Sequence, residues 1–243
     1  MIGYILALFA GLAMGLLGGG GSILTVPILV YVFSVDTKVS VAMSLAIVGW
    51  TALMGMYTHF KHKNISFKIA FIFGGFALPG TYLGSYLSQF LSGQVQLLIF
   101  SAIMIIAAVF MFKGKKDIET NTHTLNYPLI AVSGVFVGVM TGIIGVGGGF
   151  LIVPALMFFT GIDIRKAVGT SLFIISFNSI FGFLSYLGRV EIPWNLMIVF
   201  SVCSTVGIFI GAKLNTKVPQ DKLKKIFAIF LIIMGAFILY KNL

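Results

Sequence analysis

The sequence predicts an all-α polytopic membrane protein, and three observations predict it. Of 243 residues, 59% are apolar and 9% charged, against roughly 45–50% and 25% for a soluble domain. Uncharged apolar runs recur along the chain, most of them long enough for a helix to cross a hydrocarbon core about 30 Å thick. Almost all of the 16 Lys and Arg and the 6 Asp and Glu gather in the short breaks between those runs, where the loops at a membrane surface put them. A formal net charge of +10 therefore reads as positive-inside topology and contact with anionic lipid, and nucleic acid is not expected as a partner.

In chain order, the first apolar runs cover 2–17, 23–33 after a glycine cluster, 39–60, 67–87 and 95–112. No Lys or Arg precedes the first, so the basic start of a secretory signal is missing and these residues are expected to stay in the mature protein. Residues 113–126 form a basic linker, read as cytoplasmic. The second series covers 127–144, 150–159, 167–187, 194–214 and 226–240.

The two series match. Gly18-Gly19-Gly20-Gly21-Ser22 followed by Pro27, and Gly145-Val146-Gly147-Gly148-Gly149 followed by Pro154, set an offset of 154 − 27 = 127. With no gaps, that offset superposes Gly11 on Gly138, Asp36 on Asp163, Ser44 on Ser171, Gly55 on Gly182, Gly80 on Gly207 and Gly84 on Gly211. Lys38 faces Arg165. Glycines, a proline, an aspartate and a serine held in register mark an internal repeat. Residues 1–112 are read as the first transmembrane repeat and 127–243 as the second.

Each repeat contains one short run of ten or eleven residues, which at 1.5 Å per residue covers about 16 Å, half a bilayer. Such a run either continues a broken spanning helix or forms a hairpin that dips in and returns. Charge separates the two. With a returning hairpin and three crossings per repeat, Lys61, Lys63, Lys113, Lys115 and Lys116 share a side with Arg165, Lys166, Lys213, Lys217, Lys222, Lys224 and Lys225. Only Lys38, Arg189 and Lys241 fall opposite. The positive-inside rule then reads the repeats as inverted, with both termini outside the cytoplasm and about eight helices if each broken hairpin counts once.

Function has to come from the polar residues inside these runs. The glycine clusters are not phosphate loops, since neither is followed by Lys-Ser or Lys-Thr, and the second lacks the last glycine of a dinucleotide fingerprint. Within a bilayer, glycines open a helix only around buried protein or a wet cavity. There, the half-helices beginning near Gly20, Gly21 and Ser22, and near Gly147, Gly148 and Gly149, would point their N-terminal ends at an anion. Around them lie neutral hydroxyls and an amide: Thr25, Ser44, Thr51, Thr170, Ser171, Ser176, Asn178 and Ser179. All six carboxylates fall in breaks or loops, which argues against a cation path. Asp36 and Asp163 read as helix caps. Gly80 with Gly84, Gly207 with Gly211, and Gly134, Gly138 and Gly142 read as packing stripes.

Enzymatic chemistry finds no support. Cys203 is the single cysteine, which excludes an internal disulfide and a cysteine metal site. His59 and His62 have no third ligand nearby. A Ser22–His59 nucleophile pair is not carried into the second repeat, where Gly149 and Tyr186 stand. No catalytic residue, metal or cofactor is expected; the expected partners are a small anion and the lipid bilayer, with a homo-oligomer left open.

The twofold glycine break with its proline, together with the stretch Gly161-Ile162-Asp163-Ile164-Arg165-Lys166-Ala167-Val168-Gly169-Thr170-Ser171, resembles the sulfite exporter TauE/SafE family of membrane permeases. The resemblance covers nearly the whole chain. The second copy is closer; the first departs at Ser22 for glycine and at Ala42-Met43 for Gly-Thr. The family implies movement of sulfite, sulfonates or related sulfur-containing organic anions across a bacterial cell membrane. Related thiosulfate-uptake permeases use several cysteines, a feature absent here. The expectation is a secondary transporter, an exporter, working by alternating access where the repeats meet. A membrane scaffold or accessory subunit, and an anion channel, are the alternatives.

Overall fold

The computed structural model describes residues 2–88, 90–113, 127–144 and 149–242. Among them are ten α-helices: α1 Ile2–Leu17, α2 Gly20–Tyr31, α3 Thr37–Lys61, α4 Phe67–Ser88, α5 Gly93–Lys113, α6 Tyr127–Ile144, α7 Gly149–Thr160, α8 Ile164–Tyr186, α9 Trp194–Lys217 and α10 Gln220–Asn242. The described residues contain no strand. Five helices, α3, α4, α8, α9 and α10, are long and apolar enough to cross a membrane. The 25 residues of α3 reach about 37 Å, whereas the 12 each of α2 and α7 reach only about 18 Å. Both short helices contain a proline, Pro27 and Pro154, and each proline removes one backbone donor from its helix. Many large apolar side chains, such as Val132, Phe136 and Ile233, face outward, as lipid contact requires and water does not.

Local chemistry sets the helix ends. The Asp36 carboxylate accepts from the N–H groups of Lys38 and Val39, and Asp163 does the same for Arg165 and Lys166. Both expected caps are therefore in place. α1 stops at Gly18, whose φ of +73° is the left-handed conformation that ends helices and suits glycine. α7 stops the same way at Gly161, φ +68°.

Close backbone packing decides which helices pair. α1 lies on α9, where a methyl group on Gly11 would overlap the Ser204 carbonyl and one on Gly211 the Leu12 carbonyl. α4 lies on α6, where Gly138 sits against Ala77 and Gly84 against Val139. Every one of these contacts has its counterpart 127 residues away. Residue numbers rise together across both pairs, so each pair runs in the same direction. α3 and α8 pair in the opposite sense, with Leu45 beside Gly182 and Gly49 beside Ser179.

These directions gather the helix ends at two faces. Phe33 packs on Gly3 and against the Tyr4 ring, so the chain after α2 is back beside the start of α1. Lys241 sits 4.2 Å over the Tyr31 ring, and Gly93 lies against Thr37. This is the terminal face. At the other, Arg165 donates to the carbonyls of Thr216 and Val218 at 3.2 and 3.0 Å, and Lys68 lies 4.9 Å over the Tyr127 ring. Lys61, Lys63, Lys166, Lys217 and Lys222 belong to this basic face.

Candidate functional site

The described end of the second glycine break, Gly149, meets the first break at Gly19. In the first, the Gly18 N–H donates to Met14 O at 2.8 Å, the Ser22 N–H to Gly19 O at 2.8 Å, and the Ser22 hydroxyl to the same carbonyl. The Asn215 amide donates to Leu16 O at 2.6 Å, serving a carbonyl left open at the end of α1. In the second break, Gly149 is buried; a methyl group there would fall 2.9 Å from Gly19 Cα and 2.5 Å from the Ile175 side chain. Glycine at 149 is thus what lets the two breaks touch against the centre of α8. Gly147 and Gly148 lie outside the described residues.

The remaining residues singled out from the sequence are spread around this contact. Gly20 opens α2, and Gly21 packs on Ala10 and Met14 of α1. Thr25 is buried and donates to Gly21 O at 3.0 Å. Ser171 donates to Val168 O at 2.8 Å. Thr51 donates to Ile47 O at 2.6 Å and shares a 2.8 Å hydrogen bond with Ser204 of α9. Thr170 lies towards the basic face, accepting from the Ser66 N–H at 3.0 Å. Most of these hydroxyls are therefore occupied within the protein. Ser44 differs: it is fully buried and its oxygen has no partner.

Asn178 alone among these residues lines a described crevice. This cavity of about 750 Å³ opens between α4, α6 and α8. Thr81, Thr141 and Ser185 contribute hydroxyls to its wall, Tyr82, Tyr86 and Tyr186 contribute rings, and Arg189 stands at the terminal-face end. Asn178 lies two turns deeper along α8 than Tyr186, about 12 Å. Its amide makes no hydrogen bond with the described residues.

Sequence reasoning missed Ser204 and Asn215, and it noted Ser179 and His59 without placing them in the site. Ser179 is fully buried with an unpartnered hydroxyl. His59 is 2% exposed, and neither ring nitrogen has a partner in good hydrogen-bond geometry, although the Gly15 backbone lies within electrostatic reach. Ser204 and Asn215 link α9 to α3 and α1. Their one signal in the sequence is a polar side chain inside an apolar run, which does not say what it meets.

The described carboxylates lie at helix ends or in a loop: Asp36 and Asp163 as caps, Asp221 in the first turn of α10, and Glu191 between α8 and α9. Asp117 and Glu119 are outside the described residues. Among the described residues no three of His, Cys, Asp and Glu cluster as metal ligands would. The described centre of the molecule thus carries buried hydroxyls and an amide, and no described carboxylate.

Comparison with known proteins places the chain in a family. Residues 4–238 match the family described as Sulfite exporter TauE/SafE. A probable membrane transporter protein of Bacillus subtilis, YdhB, is 30% identical over 234 residues, covering 93% of this chain and 94% of the relative. A probable membrane transporter protein of Xylella fastidiosa strain Temecula1 is 30% identical over 239 residues, covering 96% and 92%. An Arabidopsis thaliana protein named Sulfite exporter TauE/SafE family protein 5 shares 30% over 89 residues, 36% of this chain and 20% of its own. No solved structure matches the chain. Family match and apolar helices together make this a membrane-embedded protein of a transporter family: the chain belongs to the sulfite exporter TauE/SafE family.

Proposed function

We propose that this protein is a secondary transporter that exports a small sulfur-containing oxyanion, such as sulfite or an organosulfonate, across a bacterial cell membrane. Two inverted repeats form it, and the anion binds where they meet. The antiparallel pairing of α3 with α8, and the return of the chain at Phe33 to the start of α1, support inversion. The gathering of lysines and arginines at one face supports a cytoplasmic assignment for that face.

The observation that carries the transport reading is the contact of the two glycine breaks, Gly149 against Gly19. Broken helices cost backbone hydrogen bonds that a bilayer cannot replace, and membrane proteins keep them where an ion or substrate must meet the backbone. The described carboxylates lie at helix ends or in a loop, away from this contact, which favours an anion.

Anion flux by the purified protein in liposomes tests the reading. Sulfite or sulfoacetate should move in preference to sulfate and chloride. Asn178→Ala should raise the half-saturation several-fold, about 1–1.5 kcal/mol, as expected for one lost hydrogen bond to a charged ligand. Chloride conduction without saturation would instead make the protein a channel. No flux of any of the four would point to an accessory subunit.

A further inference from the structure

The two repeats are not in the same state. Adding or subtracting 127 carries the crevice between α4 and α8 onto the seam between α9 and α3: Asn178 becomes Thr51, Gly182 becomes Gly55, Thr81 becomes Ile208, Leu45 becomes Leu172 and Tyr186 becomes His59. The first set lines an open cavity of about 750 Å³. The second set is packed shut. Thr51, Ile208, Leu172 and His59 are at most 2% exposed, and a methyl group on Gly55 would run into the Ile208 side chain.

We infer that the α4–α8 crevice is the outer vestibule through which the anion reaches Asn178, and that the α3–α9 seam is the matching inner vestibule, closed and latched by Thr51 to Ser204. This rests on the inverted-repeat reading above, because only repeats that face opposite ways turn equivalent crevices towards opposite sides. Arg189 at the mouth of the open crevice supplies the positive charge that draws an anion in. Its floor is neutral; the Thr81 and Thr141 hydroxyls donate to the Ala77 and Val137 carbonyls, so the anion is held there by the Asn178 amide.

The chemistry of the closed side supports the assignment. The Thr51–Ser204 hydrogen bond is 2.8 Å long and has no equivalent on the open side, where the counterparts of the pair are Asn178 and Ala77, which has no polar side chain. His59 is buried with ring nitrogens in poor hydrogen-bonding geometry, an arrangement that is costly in a permanent core. It is explained if the packed state alternates with one in which water reaches the ring. His59 then lines the inner vestibule as Tyr186 lines the outer.

Cross-linking and labelling in a Cys203→Ser background test the assignment. Oxidation of Thr51→Cys with Ser204→Cys should join the two sulfurs and abolish whatever anion flux the same variant shows when reduced, and renewed reduction should return it to that level, which separates a locked protein from a misfolded one. Thr81→Cys with Gly182→Cys should cross-link only when the outer crevice closes. A third cysteine, His59→Cys, should resist an impermeant thiol reagent from the basic face until that cross-link forms, and then react. Tyr186→Cys should show the reverse. Full flux through the oxidised Thr51–Ser204 protein, or a His59→Cys that stays inert after the outer crevice is locked, would overturn the inference. The labelling arm needs no transported anion, so absent flux in the reduced protein would count against the transport function and leave the vestibules to be judged by labelling.

Discussion

Single residues decide where the helices stop, and the two repeats solve the same problem with different chemistry. Gly161 ends α7 at φ +68°, while its counterpart Ser34 takes φ +53° beyond the end of α2. A left-handed conformation costs an L-residue roughly 1–2 kcal/mol, part of which glycine loses again to chain entropy in the unfolded state. Ser34 is exposed, so nothing packs against the group removed. Ser34→Gly should therefore raise stability by about 0.5–1 kcal/mol, read as a higher midpoint of thermal unfolding in detergent; no gain, or a loss, would show that the Ser34 side chain contributes to the turn. Asp36 and Asp163 were legible as caps because capping needs only the residue and the two N–H groups following it. Ser34 was not, since a serine does not announce a positive φ.

Whole helices pair through their glycines, and the size of the effect depends on what a side chain would meet. In α4, a methyl group on Gly84 would overlap the Val139 carbonyl of α6, but one on Gly75 would meet nothing within 4 Å. Gly84→Ala should then separate two helices in backbone contact and lower stability by about 1–3 kcal/mol. Gly75→Ala should be neutral or gain up to about 1 kcal/mol from helix propensity. Thermal unfolding of the two variants in the same detergent is the check; equal losses would mean that α4 and α6 do not depend on close approach. The stripes at Gly80 and Gly84 and at Gly207 and Gly211 were legible as packing surfaces, because a small residue every fourth position marks one helix face. Their partners were not. The pairing of α4 with α6 and of α1 with α9 crosses from one repeat to the other, and a sequence pattern carries no address for the surface it meets. The same limit explains Thr51 and Asn178: both were legible as polar residues in apolar helices, but that one is latched and the other lines a crevice depends on helices far away in the chain.

For the whole molecule, orientation follows from where charge lies on the two faces. The helix directions put Lys63, Lys68, Arg165, Lys217 and Lys222 at one face and Lys38, Arg189 and Lys241 at the other. Lysine and arginine are retained on the cytoplasmic side during insertion, and the bias counts most in short loops such as those joining these helices. Parallel repeats would split the same charges between the faces and lose the bias, so the charge pattern and the antiparallel α3–α8 pair make one combined prediction. With Cys203→Ser as background, cysteines replacing Lys63 and Lys222 should both be protected from an impermeant thiol reagent added outside intact cells. A cysteine replacing Arg189 should label. Lys63 and Lys222 come from different repeats and lie 159 residues apart, since 222 − 63 = 159. Between them run α4, α5, α8 and α9, four crossings, so their shared protection holds only if α6 and α7 form a hairpin that enters and leaves on one side. Opposite labelling of the two would mean that the glycine-broken segment crosses the membrane, and inversion of the repeats would fall with it.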